Sequence, residues 1–206
     1  MADAPAPQRR RSQRGDRRRQ LLLDAAGELL MEQGFAGVSH RSVAQRAELP
    51  LSATTYYFAS LDDLLADVVQ FLADGWLRAA RDALDQLPER LDGPRQLARA
   101  VLQVVALAPA GVAAGSPGAI LPLYERYLEA ARHPSLRPTI VRYDDHLDSL
   151  LVELLRRAGL DPSRDDARLV LAVVDGASLR ALAEGSPPDS AVRPLEHVLQ
   201  VLASRA

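Results

Sequence analysis

Apolar residues along this chain recur at spacings of three and four and alternate with polar ones nowhere for long, which predicts helices and no strand. A first helix is expected from about Asp16 to Gln33. Its apolar positions Leu22, Ala25, Ala26, Leu29 and Leu30 form one stripe, and Gly34 is a natural stop. A short amphipathic piece follows, His40 to Ala47, with Ser39 placed to cap it. Glu48-Leu49-Pro50 ends that piece, because Pro50 disfavours a helical Leu49. A third short helix opens at Pro50 or Leu51 and runs to about Phe58. Ser60-Leu61-Asp62-Asp63 has the form Ser-x-x-acid ahead of an apolar run, and opens a helix from Leu61 to about Leu87.

Helical spacing continues to the end of the chain. Stretches are expected from Pro94 to about Leu107, Ala119 to Ala131 and Leu136 to Ala158, the first two separated by a Gly/Pro/Ala-rich loop from Ala108 to Gly118. Asp161 as cap and Pro162 at the first helical position start another helix, to about Glu184. Gly185 to Pro188 breaks the chain before a last helix, Ala191 to Ala203. Residues 1–15 lack apolar periodicity and are expected to be a disordered, arginine-rich tail. The organisation this suggests is all-α: a tail, a three-helix domain over residues 16–60 and a helical domain over 61–206.

Charge changes the picture. The net of -2 conceals nine arginines against six acids in residues 1–60, a net of +3, and a net of -5 in the remainder. One end thus suits a polyanion and the rest does not, although a solvated tail alone would leave the same imprint. All basic residues are arginine, so every cationic contact can be forked and planar. There is no cysteine, which removes disulfides, thiol nucleophiles and thiolate metal sites and fits a cytoplasmic location. No apolar run is long enough for a membrane span, and the N-terminal arginines lack the apolar core of a secretory signal.

Three short helices within residues 16–60, the second and third joined by about three residues, have the spacing of a helix-turn-helix. In that arrangement the second helix of the pair lays its N-terminal side chains against base edges in the major groove. The string Gly34-Phe35-Ala36-Gly37-Val38-Ser39, then Val43-Ala44 and Ala47, then Thr54-Thr55-Tyr56-Tyr57-Phe58-Ala59-Ser60 and Leu64-Leu65 closely resembles the N-terminal domain of TetR-family repressors. The resemblance covers about residues 17–70; beyond it only the number and order of helices match.

That resemblance implies roles. Arg41 matches a base-reading position, and its fork suits guanine O6 and N7. Ser39 and His40 fit phosphate contacts. Leu51, Ser52, Ala53, Thr55 and Tyr57 match groove-facing positions, Thr54 and Phe58 match inward ones, and Tyr56 and Tyr57 fit phosphate hydrogen bonds. Two positions depart from the pattern: Thr55 stands where many members have tyrosine, and Leu61 where many have a phosphate-gripping lysine. Arg9, Arg10, Arg11, Arg14, Arg17, Arg18 and Arg19 are candidates to compensate, along the backbone or in the minor groove, with solubility as the alternative.

The resemblance also implies a small-molecule cavity among the middle helices. Phe71, Trp76, Tyr124, Tyr127, Tyr143, His146 and Leu150 are candidates to line it, with ordinary core packing as the alternative for each. Arg126, Arg142 and Glu125 are candidates for its polar specificity. It implies further a homodimer through the last two helices, with Leu169, Val173, Gly176, Ala177, Arg180, Leu195, Val198, Leu199 and Leu202 as the surface, and hence a pseudo-palindromic operator. His40, His133, His146 and His197 are scattered without metal-ligand spacing, and no cofactor is expected. Gly111, Gly115 and Gly118 follow no strand, and no serine sits in a nucleophile elbow, so catalysis is not expected. The expected function is a ligand-responsive, DNA-binding regulator, of the repressor kind in its family's habit. The alternative is a helical ligand- or partner-binding protein that has lost operator recognition, which Leu51, Ala53 and Leu61 make thinkable.

Overall fold

The structure, a computed structural model, describes residues 7–105 and 117–205. Among these residues the chain forms nine α-helices and no strand. They are α1 (Pro7–Gln33), α2 (His40–Arg46), α3 (Leu51–Tyr57), α4 (Leu61–Gln86), α5 (Gly93–Val105), α6 (Pro117–Arg132), α7 (Arg137–Arg157), α8 (Arg164–Glu184) and α9 (Val192–Ala203). Short 3-10 turns, Phe35–Gly37, Pro134–Leu136 and Pro188–Ala191, join some of them.

Two starts differ from the sequence expectation. α1 begins at Pro7 rather than Asp16, so the expected structureless segment is helical over residues 7–15. Pro7 is tolerated at a first helical position, the arginines and glutamines behind it are good helix formers, and Gly15 alone costs only about 1 kcal/mol. α8 is capped by Ser163, not Asp161. The Ser163 hydroxyl accepts from the Asp166 N–H at 3.2 Å and the Asp166 carboxylate accepts from the Ser163 N–H at 2.9 Å, a reciprocal box that Asp161 has no partner to form. The expected loop at 108–118 lies outside the described residues as far as residue 116.

The chain divides into two compact units. One comprises the described residues through Leu72 together with Tyr124–Thr139; the other comprises the described part of Ala73–Leu123 and Ile140 onward. In the first unit the apolar stripe of α1 (Leu22, Ala26, Leu30) is buried, as are Val43 and Ala44 of α2, Phe58, and Leu64 and Val68 of α4. Burying a leucine of this kind contributes about 1.5–3 kcal/mol. Arg46 at the end of α2 reaches back to α1, donating to Glu28 at 3.1 Å and to Glu32 at 2.7 Å. Gly34 ends α1 at φ 68°, and a Cβ there would meet a Glu125 carboxylate oxygen at 3.0 Å, so both backbone and space call for glycine.

In the second unit α9 packs on α5 and α8. Leu97, Val101 and Val104 of α5 are buried, as are Leu147, Leu151, Leu154 and Leu155 of α7. Asp148 of α7, itself buried, accepts from Arg164 at 3.2 Å and Arg168 at 3.0 Å of α8, which ties these two helices. Arg157 donates to the Leu84 carbonyl at 2.8 Å and thereby ties α7 to α4.

One group of expected surface residues is corrected here. Leu195, Leu199 and Leu202 are buried inside the unit, because the apolar stripe of α9 is covered by its own chain. They are core, not dimer surface. Leu169 and Leu179 of α8 are exposed, as are Gly176 and Arg180, while Val173, Ala177 and Val198 are half-buried.

Candidate nucleic-acid interface

The residues expected to read or grip DNA within the helix-turn-helix lie on α2, α3 or the turns beside them, and local chemistry sets their placement. Ser39 has extended backbone and caps α2: its hydroxyl accepts from the Ser42 N–H at 3.1 Å, while the Ser42 hydroxyl accepts from the Ser39 N–H at 2.9 Å. Ser42 in turn donates to the Gly37 carbonyl at 2.8 Å, pinning the preceding 3-10 turn. The Ser39 side chain is therefore committed to the cap. His40 is half-buried, with its Nδ1 enclosed and without a hydrogen-bond partner among the described residues. Arg41 is exposed and makes no ion pair among the described residues.

The turn between α2 and α3 closes through the Leu49 N–H, which donates to the Ala44 carbonyl at 3.0 Å, with Glu48 left-handed at φ 53°. That is a helix C-terminal hydrogen-bond pattern made without its usual glycine. Pro50 then stands extended at the entrance of α3 and offers no side-chain cap. α3 divides cleanly into two faces. Leu51, Ser52, Thr55 and Tyr56 are exposed, Tyr56 to 81%, and Ala53 and Tyr57 are half-buried. Thr54 is fully buried and its hydroxyl donates to the Leu51 carbonyl at 2.8 Å; Phe58 is buried behind it. Of the expected groove-facing residues Leu51, Ser52 and Thr55 are exposed and Ala53 and Tyr57 half-buried, and the expected inward pair is buried. Tyr56 and Tyr57 meet edge to face, ring centroids 5.0 Å apart.

Two residues bear on this face in ways that the pattern of apolar positions did not reveal. Arg19 ion-pairs with Asp67 at 2.6 Å, and its guanidinium lies 5.7 Å from the Phe58 ring centroid. This half-exposed arginine bridges α1 to α4 and lies over the end of α3, an engagement within its own unit that the basic run does not disclose. Leu61 is exposed at the first turn of α4, an apolar side chain where the family pattern has a phosphate-gripping lysine. The Ser60 hydroxyl accepts from the Asp63 N–H at 3.1 Å, the cap expected there.

The candidates for a ligand cavity fall into both units. Trp76 and Tyr143 are buried in one, edge to face with centroids 6.2 Å apart, and Leu150 is buried there too. His146 is exposed, its Nδ1 2.7 Å from the Arg142 carbonyl of its own helix. Phe71, Tyr124 and Tyr127 are half-buried in the other unit. There the buried Arg126 lies 4.6 Å from the Tyr127 ring centroid and donates to its hydroxyl at 3.1 Å. The second unit also carries a cleft of about 610 Å³ between Glu89–Gly93 and Arg156–Gly159, lined by none of these candidates.

A capped α2, a tight turn and an outward polar-aromatic face on α3, followed by a longer helical body, define a helix-turn-helix DNA-binding regulator. The chain belongs to the TetR family. Residues 22–68 match the bacterial regulatory proteins of the tetR family, and residues 92–203 match the tetracyclin repressor-like C-terminal domain. The HTH-type nicotine-responsive transcriptional repressor HdnoR of Paenarthrobacter nicotinovorans is 27% identical over 176 residues, 83% of this chain and 87% of that protein. The HTH-type transcriptional regulator BetI of Agrobacterium fabrum is 28% identical over 180 residues, 86% of this chain and 82% of its own. Among solved structures, the multidrug binding protein EbrR complexed with proflavin is 30% identical, with a TM-score of 0.65 over 92% of this chain and 99% of that one. No described helix is long and apolar enough to cross a membrane.

Proposed function

We propose that this chain is a cytoplasmic, non-enzymatic repressor that grips a pseudo-palindromic operator as a homodimer and releases it on binding a small molecule. The observation that carries the reading is the outward set of α3, with the unpaired Arg41 beside it. Ser52, Thr55 and Tyr56 are exposed on this short helix and meet only local partners, the Thr55 hydroxyl donating to the Ser52 carbonyl at 3.4 Å and Tyr56 packing on the Tyr57 ring. In this reading Arg41 forks onto a guanine, Ser52, Ala53, Thr55 and the Leu51 side chain meet base edges and methyl groups, and Tyr56 and Tyr57 bond phosphates. Ser39 serves through the cap that its hydroxyl makes rather than through a phosphate contact, by fixing the angle at which Arg41 leaves α2.

The homodimer is supported by the uncovered strip of α8, where Leu169, Val173, Gly176, Ala177 and Arg180 recur at helical spacing, together with Val198 of α9. Small residues at its centre allow close approach of a second helix. Two-fold symmetry then presents two copies of α3 to two half-sites. Response to a ligand is supported by relatives: a nicotine-responsive repressor and a protein solved with proflavin, ethidium and imidazole. A ligand acts only through different affinity for the gripping and released states, commonly about 1–3 kcal/mol of coupling.

The test is a mobility-shift titration on duplexes from the gene's own upstream region. Wild type should give a salt-dependent shift, and Arg41→Ala should lose about 1–3 kcal/mol and with it discrimination at one base pair of each half-site. Absence of any shift on any upstream fragment would instead favour a helical partner- or ligand-binding protein that no longer reads an operator. The single Trp76, buried in the second unit, provides an independent readout of ligands by quenching of its fluorescence.

A further inference from the structure

The residues of α3, Leu51–Tyr57, include no arginine, lysine, asparagine, glutamine, aspartate or glutamate. Those are the side chains that select one base by hydrogen bonds in the major groove. Arginine and lysine take guanine, asparagine and glutamine take adenine, and the acids take cytosine. A serine or threonine hydroxyl both donates and accepts, so it suits more than one base edge. What α3 has left with a preference for a single base is carbon. The carbon group that an unmodified base edge offers in the major groove is the 5-methyl of thymine. α2 differs, because its exposed Arg41 carries a fork suited to guanine.

The exposed face of α3 is divided lengthwise. Residues four apart lie one above the other on a helix, so Leu51 and Thr55 form one edge of that face and Ser52 and Tyr56 the other. Leu51 is 51% exposed. The hydroxyl of exposed Thr55 donates to the Ser52 carbonyl, so it serves its own helix and the γ-methyl is the group left for a ligand. One edge is therefore carbon and the other carries hydroxyls. Behind them the Thr54 hydroxyl donates to the Leu51 carbonyl at 2.8 Å and Phe58 is buried, which fixes the direction in which the carbon edge points. An isolated exposed leucine is ordinary on a protein surface. This one stands on the strip that meets base pairs when the protein grips DNA.

We propose that α3 selects thymine by its 5-methyl group, with Leu51 as the specificity-determining side chain and the Thr55 γ-methyl beside it. Each half-site then carries a thymine within the span of α3, in addition to the guanine taken by Arg41. The two helices divide the work: α2 reads by a charged fork and α3 by apolar contact. The inference rests on the DNA-binding reading above and names the base that α3 distinguishes.

The experiment measures affinity of the full chain for an upstream duplex that it shifts, synthesised once with thymine and once with deoxyuridine in its place. That replacement removes the 5-methyl groups and keeps every hydrogen-bonding atom of the base edges. A duplex of arbitrary sequence carrying the same replacement corrects for changes in the DNA itself. Three proteins are compared, wild type, Leu51→Ala and Arg41→Ala, with circular dichroism as the check on folding. Wild type should lose about fourfold in affinity for each methyl group that it covers. Leu51→Ala should bind the thymine duplex more weakly than wild type and be nearly indifferent to the replacement, because variant and base change remove the same contact. Arg41→Ala should bind both duplexes more weakly and keep the wild-type ratio between them. A wild type that binds both duplexes alike overturns the selection of thymine, and a Leu51→Ala variant that keeps the wild-type ratio overturns Leu51 as its reader. A wild type that shifts no upstream fragment overturns the DNA-binding reading and the inference with it, so the failures are told apart.

Discussion

Glu48 is a described residue other than glycine with a positive φ, and it sits at the turn of the helix-turn-helix. A left-handed conformation costs an L-residue about 1–2 kcal/mol, against which glycine's extra backbone entropy of about 0.5–1 kcal/mol must be set. Glu48→Gly should therefore stabilise the protein by about 0.5–1 kcal/mol, read as a higher midpoint in urea unfolding. The same turn shows what single residues disclose in a sequence. Ser39, Thr54 and Phe58 are legible because their roles are local: a cap two to three residues from its target, and two side chains on the inner face of a short helix. Arg19 is not legible in that way. Its partner Asp67 lies 48 residues along the chain, so in the sequence it is one more arginine of a basic run.

At the scale of elements, apolar periodicity gives the helices and hides what covers them. The stripe Leu195, Leu199, Leu202 reads equally well as a dimer seam or as a core, and only the packing of α9 on α5 and α8 decides for the core. The opposite holds for α8, whose Leu169 and Leu179 are left exposed although their spacing is no more surface-like. The two helices should therefore respond differently to substitution. Leu199→Ala empties space in a closed core and should cost about 2–5 kcal/mol of unfolding free energy. Leu169→Asp on the exposed strip should leave the unfolding of a monomer within about 0.5 kcal/mol of wild type. Under the dimer proposed above it should also shift sedimentation towards the monomer. A large loss of stability without a change in sedimentation would move the dimer surface elsewhere. The beginning of α1 was hidden for a related reason: a charged helix without an apolar stripe looks like a solvated tail, and here it is continued from a packed helix that has already been nucleated.

At the scale of the whole molecule, ion pairs hold helices together in both units and set one shared dependence on pH. Arg46 donates to Glu32 between α2 and α1, and this hydrogen bond holds the Glu32 carboxyl below its ordinary value of 4.5. Arg81, and after it Arg157, do the same for Glu153 in the second unit. Asp166 is held below 3.8 by the Ser163 hydroxyl and N–H at the start of α8. In every case the folded chain binds the proton less readily than the unfolded chain. The stability these groups contribute is therefore complete above the unfolded value and is lost as pH falls through the lowered folded one. Urea midpoints should be insensitive to these carboxyls between about pH 6 and 7, then fall progressively below about pH 4.5 as the unfolded chain takes up protons first. Glu32→Gln and Glu153→Gln remove a titrating group each. Each should lower the midpoint at neutral pH and leave a shallower decline with acid, so that the variants converge on wild type once the pH falls below the lowered folded value. Parallel curves for variant and wild type, offset equally at every pH, would show that these contacts stabilise by packing rather than by charge.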